Sequence, residues 1–125
     1  MYPIRALALA LILATASTAA HAGDPLTVLV TGANRGIGLE YARQFADKGY
    51  RVIGTARDPA KATDLAAVAD RVEALDVSDA ASVAALATRL DGEAIDILVN
   101  NAGVFDRGDV SIEKVDFAQM EQTFA

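Results

Sequence analysis

Thr31-Gly32-Ala33-Asn34-Arg35-Gly36-Ile37-Gly38 is the stretch on which the reading of this 125-residue chain turns. Before it stands Leu26-Thr27-Val28-Leu29-Val30, an apolar, β-branched run of the kind that forms a strand buried on both faces. After it, Leu39 to Lys48 reads as a helix. Ile37, Tyr41 and Phe45 fall at i, i+4 and i+8, the spacing of one helical face expected to pack inward. Gly49 is placed to stop that helix. The glycines therefore lie in a strand-to-helix turn, a context that raises them above a chance pattern.

Each glycine has a physical task in such a turn. Gly32 allows a sharp exit from the strand, Gly36 keeps a Cβ out of the way of a diphosphate, and Gly38 lets the helix lie close to the sheet. The free amides of the first helical turn, at the positive end of the helix dipole, would point at the phosphates. The stretch points to dinucleotide binding; the plainer alternative is a glycine-rich turn with no ligand.

Working outward, strand-like and helix-like runs alternate. Arg51-Val52-Ile53-Gly54-Thr55-Ala56 reads as a second strand. Asp58-Pro59 supplies an N-cap and a first-turn proline for a short helix to about Ala69, with Leu65 and Val68 inward. Val72 to Leu75 reads as a third strand ending at Asp76. Ser78 or Asp79 then caps a helix to Leu90, whose Val83, Leu86, Ala87 and Leu90 share a face, and Gly92 ends it. Ile95 to Val99 is a fourth strand, interrupted only by Asp96. The alternation predicts an α/β fold, a three-layer doubly wound parallel sheet. Right-handed crossovers place the first four strands in the order 3-2-1-4, with a crevice at the carboxyl ends of the first and fourth.

Three motifs then stand in order. Thr31 to Gly38 resembles the Thr-Gly-x-x-x-Gly-x-Gly coenzyme motif of the short-chain dehydrogenases/reductases, one residue wider than the general Rossmann spacing. Asn100-Asn101-Ala102-Gly103 resembles the family's Asn-Asn-Ala-Gly, and Asp76-Val77 its adenine-pocket pair. The resemblance runs over roughly residues 26 to 125 and is to the single-domain branch. It implies a Rossmann-type NAD(P)-dependent oxidoreductase that moves hydride between a nicotinamide and a carbonyl or alcohol carbon of a small molecule, as a homo-oligomer. Among the cofactor-binding residues it implies are Gly32, Asn34, Arg35, Gly36, Ile37 and Gly38 in the turn. Asn101, Ala102 and Gly103 would line the pocket near the adenosine and nicotinamide ribose, with Asn101 also tying neighbouring strands. Asp76 would accept from the adenine amino group and the Val77 amide would donate to the ring. Asp76 could equally cap the next helix, and the two roles are compatible.

The second strand bears on the choice of dinucleotide. NAD-preferring enzymes usually place an acid at its end for the ribose hydroxyls. Here Ala56 stands in that place and Arg57 follows it. Arg57 and Arg35 together suit a 2′-phosphate, because guanidinium forms bidentate, charge-assisted bonds to phosphate oxygens. NADP is expected rather than NAD; the alternative is a pair of solvated arginines, with Asp58 neutralising Arg57.

No catalytic residue is assigned. The family's Tyr-x-x-x-Lys pair is absent: Tyr41 is followed four residues on by Phe45, Tyr50 by Gly54, and Tyr2 lies in the leader. Ser111 stands too early to be the family's serine, and Asp116 to Ala125 reads as the opening of a helix. The expectation is the amino-terminal part of a longer enzyme, residues 23–125, with a sheet incomplete at the carboxyl end and no hydride transfer by this stretch alone. The alternatives are a non-catalytic nucleotide-sensing or interaction protein of the same fold, and an exported domain with a vestigial loop.

Residues 1–22 differ in composition. Arg5 precedes an unbroken apolar run from Ala6 to Ala14, and Ala20-His21-Ala22 is an A-x-A cleavage pattern, so a signal peptide and an exported protein are expected. An uncleaved anchor, a buried helix or a cytoplasmic protein are the alternatives; the run falls short of the about 20 residues a membrane span needs, so no stable insertion is expected. Beyond residue 22 the balance is 10 Lys and Arg against 17 Asp and Glu, net −7, which argues against nucleic acid and anionic membranes as partners. With no cysteine and a single histidine, His21, at the cleavage pattern, no thiolate chemistry and no metal site are expected.

Overall fold

The computed structural model describes residues 23–103 together with Ala118 and Glu121. The leader reading over residues 1–22 and Ser111 lie outside the described residues. So does the helix expected over 116–125, apart from Ala118 and Glu121, which are both helical. Among the described residues, no helix is long and apolar enough to cross a membrane.

The chain runs β1 (Thr27–Val30), α1 (Gly36–Asp47), β2 (Arg51–Ala56), a 3₁₀ turn (Pro59–Lys61), α2 (Thr63–Ala66), β3 (Arg71–Ala74), α3 (Ala80–Arg89) and β4 (Ile97–Val99). All strand pairs are parallel and the order is β3-β2-β1-β4, the Rossmann-type arrangement expected. Steps from β1 to β3 go one way across the sheet and the step to β4 goes back. Right-handed connections therefore put α1 and α2 on one face and α3 on the other. Register aligns Val28 with Val52 and Ile97, and Thr55 with Glu73, so the carboxyl ends of the strands form one edge.

The face under α1 and α2 is the main core, built from Val28, Val30, Val52, Ala56, Leu39, Ala42 and Leu65. Leu65 fills the space over Gly54, where a Cβ would come within 2.6 Å of its methyl group. The opposite face carries Leu29 and Ile53 under α3, which buries only Leu86.

Several local expectations need correction. The inward face of α1 is Gly38, Leu39 and Ala42, not Ile37 and Tyr41, which are 71% and 44% exposed. Gly38 faces the sheet at the helix start because the backbone there lies too close to the β1 turn for any side chain. The single helix expected from Asp58 to Ala69 is two pieces. Asp58 caps the Pro59 turn through Ala60 N–H, and Ala62 then leaves helical geometry before Thr63. β3 starts one residue early because Arg71 pairs with Glu73 and Glu93, which lets a charged residue open the strand. On α3 only Leu86 of the expected stripe is buried, and Val83 is 46% exposed, because nothing among the described residues covers its outer side. β4 is shorter than Ile95–Val99. Asp96 still extends the pairing through its carboxylate, which accepts from Thr27 N–H at 2.7 Å, and its own amide, which donates to Thr27 O.

An ion-pair network fastens β2 and β3 to α3 and the stretch that follows it. Arg51 and Arg71 both meet Glu93, and Glu73 lies between Arg71 and Arg89. Burial pushes the Glu73 pKa up, but hydrogen bonds from Arg89 and Arg71 and their charges outweigh it and leave it below the usual glutamate value.

Candidate functional site

β1 delivers the chain to the carboxyl edge at Thr31, and hydrogen bonds from both neighbouring strands hold the turn that follows. Thr31 N–H donates to Val99 O at 3.0 Å. On the other side, Gly32 N–H donates to the buried Thr55 hydroxyl at 3.1 Å and Ala33 N–H to Thr55 O at 2.8 Å. Gly32 has φ +61°, and a Cβ there would press against Ala102.

The same turn reaches across to the stretch after β4. The Thr31 hydroxyl accepts from the amides of Asn101 and Ala102, each at 3.0 Å, and lies 3.3 Å from Val99 O, to which it donates. The Asn101 side-chain amide donates to Thr31 O and Gly32 O, both at 3.1 Å. Two segments 70 residues apart are thus locked into one unit. Gly38 closes it: a Cβ there would collide with the Gly32 carbonyl oxygen and the Asn101 amide.

The mouth of this unit is open. Asn34, Arg35, Gly36 and Ile37 are exposed. Arg35 occupies the N-cap position of α1 with no side-chain cap, and no acid stands in the first turn. An N-cap Ser, Thr, Asp or Asn would satisfy one of those orphan amides. Here they are left free at the positive end of a twelve-residue helix, the arrangement that receives an anion. Gly36 has φ +57°, and a Cβ on it would enter open space.

The other expected residues sit further along the edge. Arg57 follows β2, is exposed, and has no hydrogen bond or ion pair among the described residues. Asp58 does not neutralise it: its carboxylate accepts from Ala60 N–H and pairs with Lys61 at 3.2 Å. Leu75 N–H donates to Ala56 O, which brings the end of β3 alongside Arg57. Asp76 follows, half-buried, its Oδ1 accepting from the Ser78 hydroxyl (2.6 Å) and amide (3.0 Å). Those two bonds, with the Arg57 charge adding to them, hold its carboxyl below the ordinary aspartate value. Asp76 does not cap α3; Asp79 does, through Ala81 N–H. Val77, next in the chain, is exposed, as is Gly103 at the β4 end of the edge.

Three hydroxyls that hold the site were given no role from the sequence: Thr31, which opens the glycine motif, Thr55 and Ser82, the last accepting from Asp76 N–H at 2.9 Å. A threonine at or next to the carboxyl end of each of the first two strands was the available signal.

Comparison with known proteins agrees with this geometry. The sequence model of the family described as short chain dehydrogenase matches residues 26–125. Galactitol 2-dehydrogenase of Agrobacterium fabrum is 46% identical over 88 residues, which cover 66% of this chain and 34% of the relative. Retinol dehydrogenase 8 of Homo sapiens is 40% identical over 113 residues, covering 82% of this chain and 35% of the relative. The solved short-chain dehydrogenase from Sphingobium yanoikuyae in complex with NADPH is 36% identical, with TM-score 0.63 over 79% of this chain and 41% of that one. The chain spans about a third of the length of the curated relatives it matches.

Proposed function

This chain belongs to the short chain dehydrogenase family, and from that premise we propose that it forms the coenzyme-binding part of an oxidoreductase. The reaction moves hydride between NADP and a carbonyl or alcohol carbon of a small molecule. The observation that carries the reading is the open, uncapped first turn of α1, fastened beside Asn101 at the carboxyl edge of the sheet. The free space at Gly36 and the unused amides suit a diphosphate. On this reading Gly32, Asn34, Arg35, Gly36, Ile37 and Gly38 cradle the diphosphate. Asn101, Ala102 and Gly103 border the riboses, Asp76 accepts from the adenine amino group, and the Val77 amide donates to the ring. The nicotinamide, when bound, supplies the hydride chemistry; these residues bind and orient it.

Preference for NADP rests on Arg57. It stands where no acid precedes it, is free of Asp58, and shares the open edge with Arg35. A similar structure held NADPH, which supports the reading. The test is equilibrium binding of NADPH and NADH to the protein and to Arg57→Ala. Wild type is expected to prefer NADPH, and the variant to lose about 10-fold or more of that preference, the worth of one charged hydrogen bond of about 1.5–3 kcal/mol. Equal affinities in the wild type overturn the assignment. Residues 1–22 are proposed to direct export, on the strength of Arg5, the apolar run and Ala20-His21-Ala22. Intact Met1 on protein purified from the cytoplasm would refute that.

A further inference from the structure

The proposed adenine contact hangs on one short connection, residues 75–79, and α3 decides where that connection lies. β2 ends at Ala56, whose carbonyl is taken by Leu75 N–H. The next amide, Asp76 N–H, therefore has no strand to pair with as the chain leaves the sheet. Ser82, in the first turn of α3, supplies the acceptor: its Oγ receives Asp76 N–H at 2.9 Å. The far end of the same helix grips the strand just before. Arg89 donates to Ala74 O at 2.6 Å and pairs with Glu73. The Asp76 carboxylate is turned by Ser78 on Oδ1 alone, and Oδ2 has no hydrogen bond among the described residues. The backbone of Asp76 is thus fixed from α3 and its side chain from Ser78, with one carboxylate oxygen left to accept.

We infer that Ser82 is a positioning residue for adenine recognition, holding the Asp76 backbone so that Oδ2 meets an exocyclic amine. The inference rests on the reading of Asp76 given above and adds to it a residue from outside the coenzyme motifs. Its consequence is selective. Without the Ser82 hydroxyl, Asp76 N–H turns to water, the 76–79 connection shifts, and the carboxylate no longer sits opposite the amine. The diphosphate cradle, fastened by Thr31, Thr55 and Asn101, is untouched.

The probe pair is NADPH and its hypoxanthine analogue, in which the 6-amino donor is replaced by a carbonyl acceptor that Asp76 cannot bond. Affinities are measured by dihydronicotinamide fluorescence for wild type, Ser82→Ala and Ser82→Thr, the last keeping the hydroxyl. Alanine is the better helix former, so the first variant keeps α3. Wild type is expected to favour NADPH by about 10-fold or more, Ser82→Ala to lose most of that ratio, and Ser82→Thr to retain it. A wild-type ratio near one, or no binding of either compound, overturns the Asp76 reading and this inference with it. A normal wild-type ratio that survives in Ser82→Ala, even with both affinities lowered together, overturns the role of Ser82 alone.

Discussion

Gly36 and Gly38 are two residues apart in one motif, yet alanine at each should fail in a different way. At Gly38 the new methyl is driven into the Gly32 backbone carbonyl, which cannot swing aside, and into the Asn101 side-chain amide, which two hydrogen bonds hold in place. Overpacking of this kind costs about 1–3 kcal/mol. Displacing Asn101 also gives up its bonds to Thr31 O and Gly32 O, worth about 1 kcal/mol each. Alanine regains about 1 kcal/mol over glycine inside a helix, so the net loss is about 2–4 kcal/mol. At Gly36 the methyl meets nothing, and the cost is that of holding a side chain at φ +57°, about 1–2 kcal/mol. Urea denaturation followed by circular dichroism separates the two. With a slope of about 2 kcal/mol per molar for a chain of this size, Gly38→Ala should lower the midpoint by about 1–2 M and Gly36→Ala by less than about 1 M. NADPH binding should be lost in both, in Gly36→Ala because the methyl would occupy the place proposed for the diphosphate. A wild-type midpoint for Gly38→Ala refutes the claim that close approach, not ligand, dictates that glycine. Equal midpoint losses refute the division of labour.

Thr31→Val should leave the Asn101 and Ala102 amides without their shared acceptor and cost about 2–4 kcal/mol, while Thr31→Ser stays near wild type; thermal melts of the two variants check it. Glu73 and Glu93 both titrate below the ordinary glutamate value of 4.5 when folded, so the stability they contribute is full above that value and is lost as pH falls through their lower folded-state values. Glu73→Gln should flatten that acid limb and cost about 1–3 kcal/mol at neutral pH, less than a fully buried pair because Arg71 and Arg89 are partly solvated; midpoints measured between pH 3 and 7 would contradict this if the variant and wild type fall in parallel.

The strand order was legible because it depends on coarse features: four apolar runs, crossover lengths and the handedness of parallel connections. The glycine turn and Asn100–Gly103 could also be placed on one edge, since strand ends in a parallel sheet come out together. Side-chain direction was less legible. Ile37 and Tyr41 have the spacing of a buried stripe, but the helix approaches the sheet through Gly38 and Ala42, and distance of approach leaves no mark in hydrophobic periodicity. The break at Ala62 was hidden for a similar reason. Alanine-rich sequence favours helix, whereas the seat of Leu65 over Gly54 decides where the helix can begin. Hydroxyl acceptors such as Thr55 and Ser82 escaped because serine and threonine are common and their partners are backbone amides, 23 and 6 residues away, that no side-chain pattern marks.

The way the site is held has a consequence for its cooperativity. Ala33 anchors the cradle in the core, and hydrogen bonds tie it to β2 on one side and to the stretch after β4 on the other. β4 is three residues long, half exposed, and at the edge of the described sheet, with Leu98 56% open to solvent. Its attachment to β1 is reinforced at both ends, by Asp96 on Thr27 and by Asn101 on Thr31. Elements with little buried apolar area open first, so β4 is the weak member of the sheet. Because Thr31 serves both the strand pairing and the glycine turn, detaching β4 removes one of the turn's two sets of hydrogen bonds and leaves those to Thr55. On the proposed reading, a nucleotide that binds the turn held from both sides stabilises the β1–β4 pairing by mass action. Coenzyme binding and the pairing of β4 with β1 are, on that reading, linked equilibria.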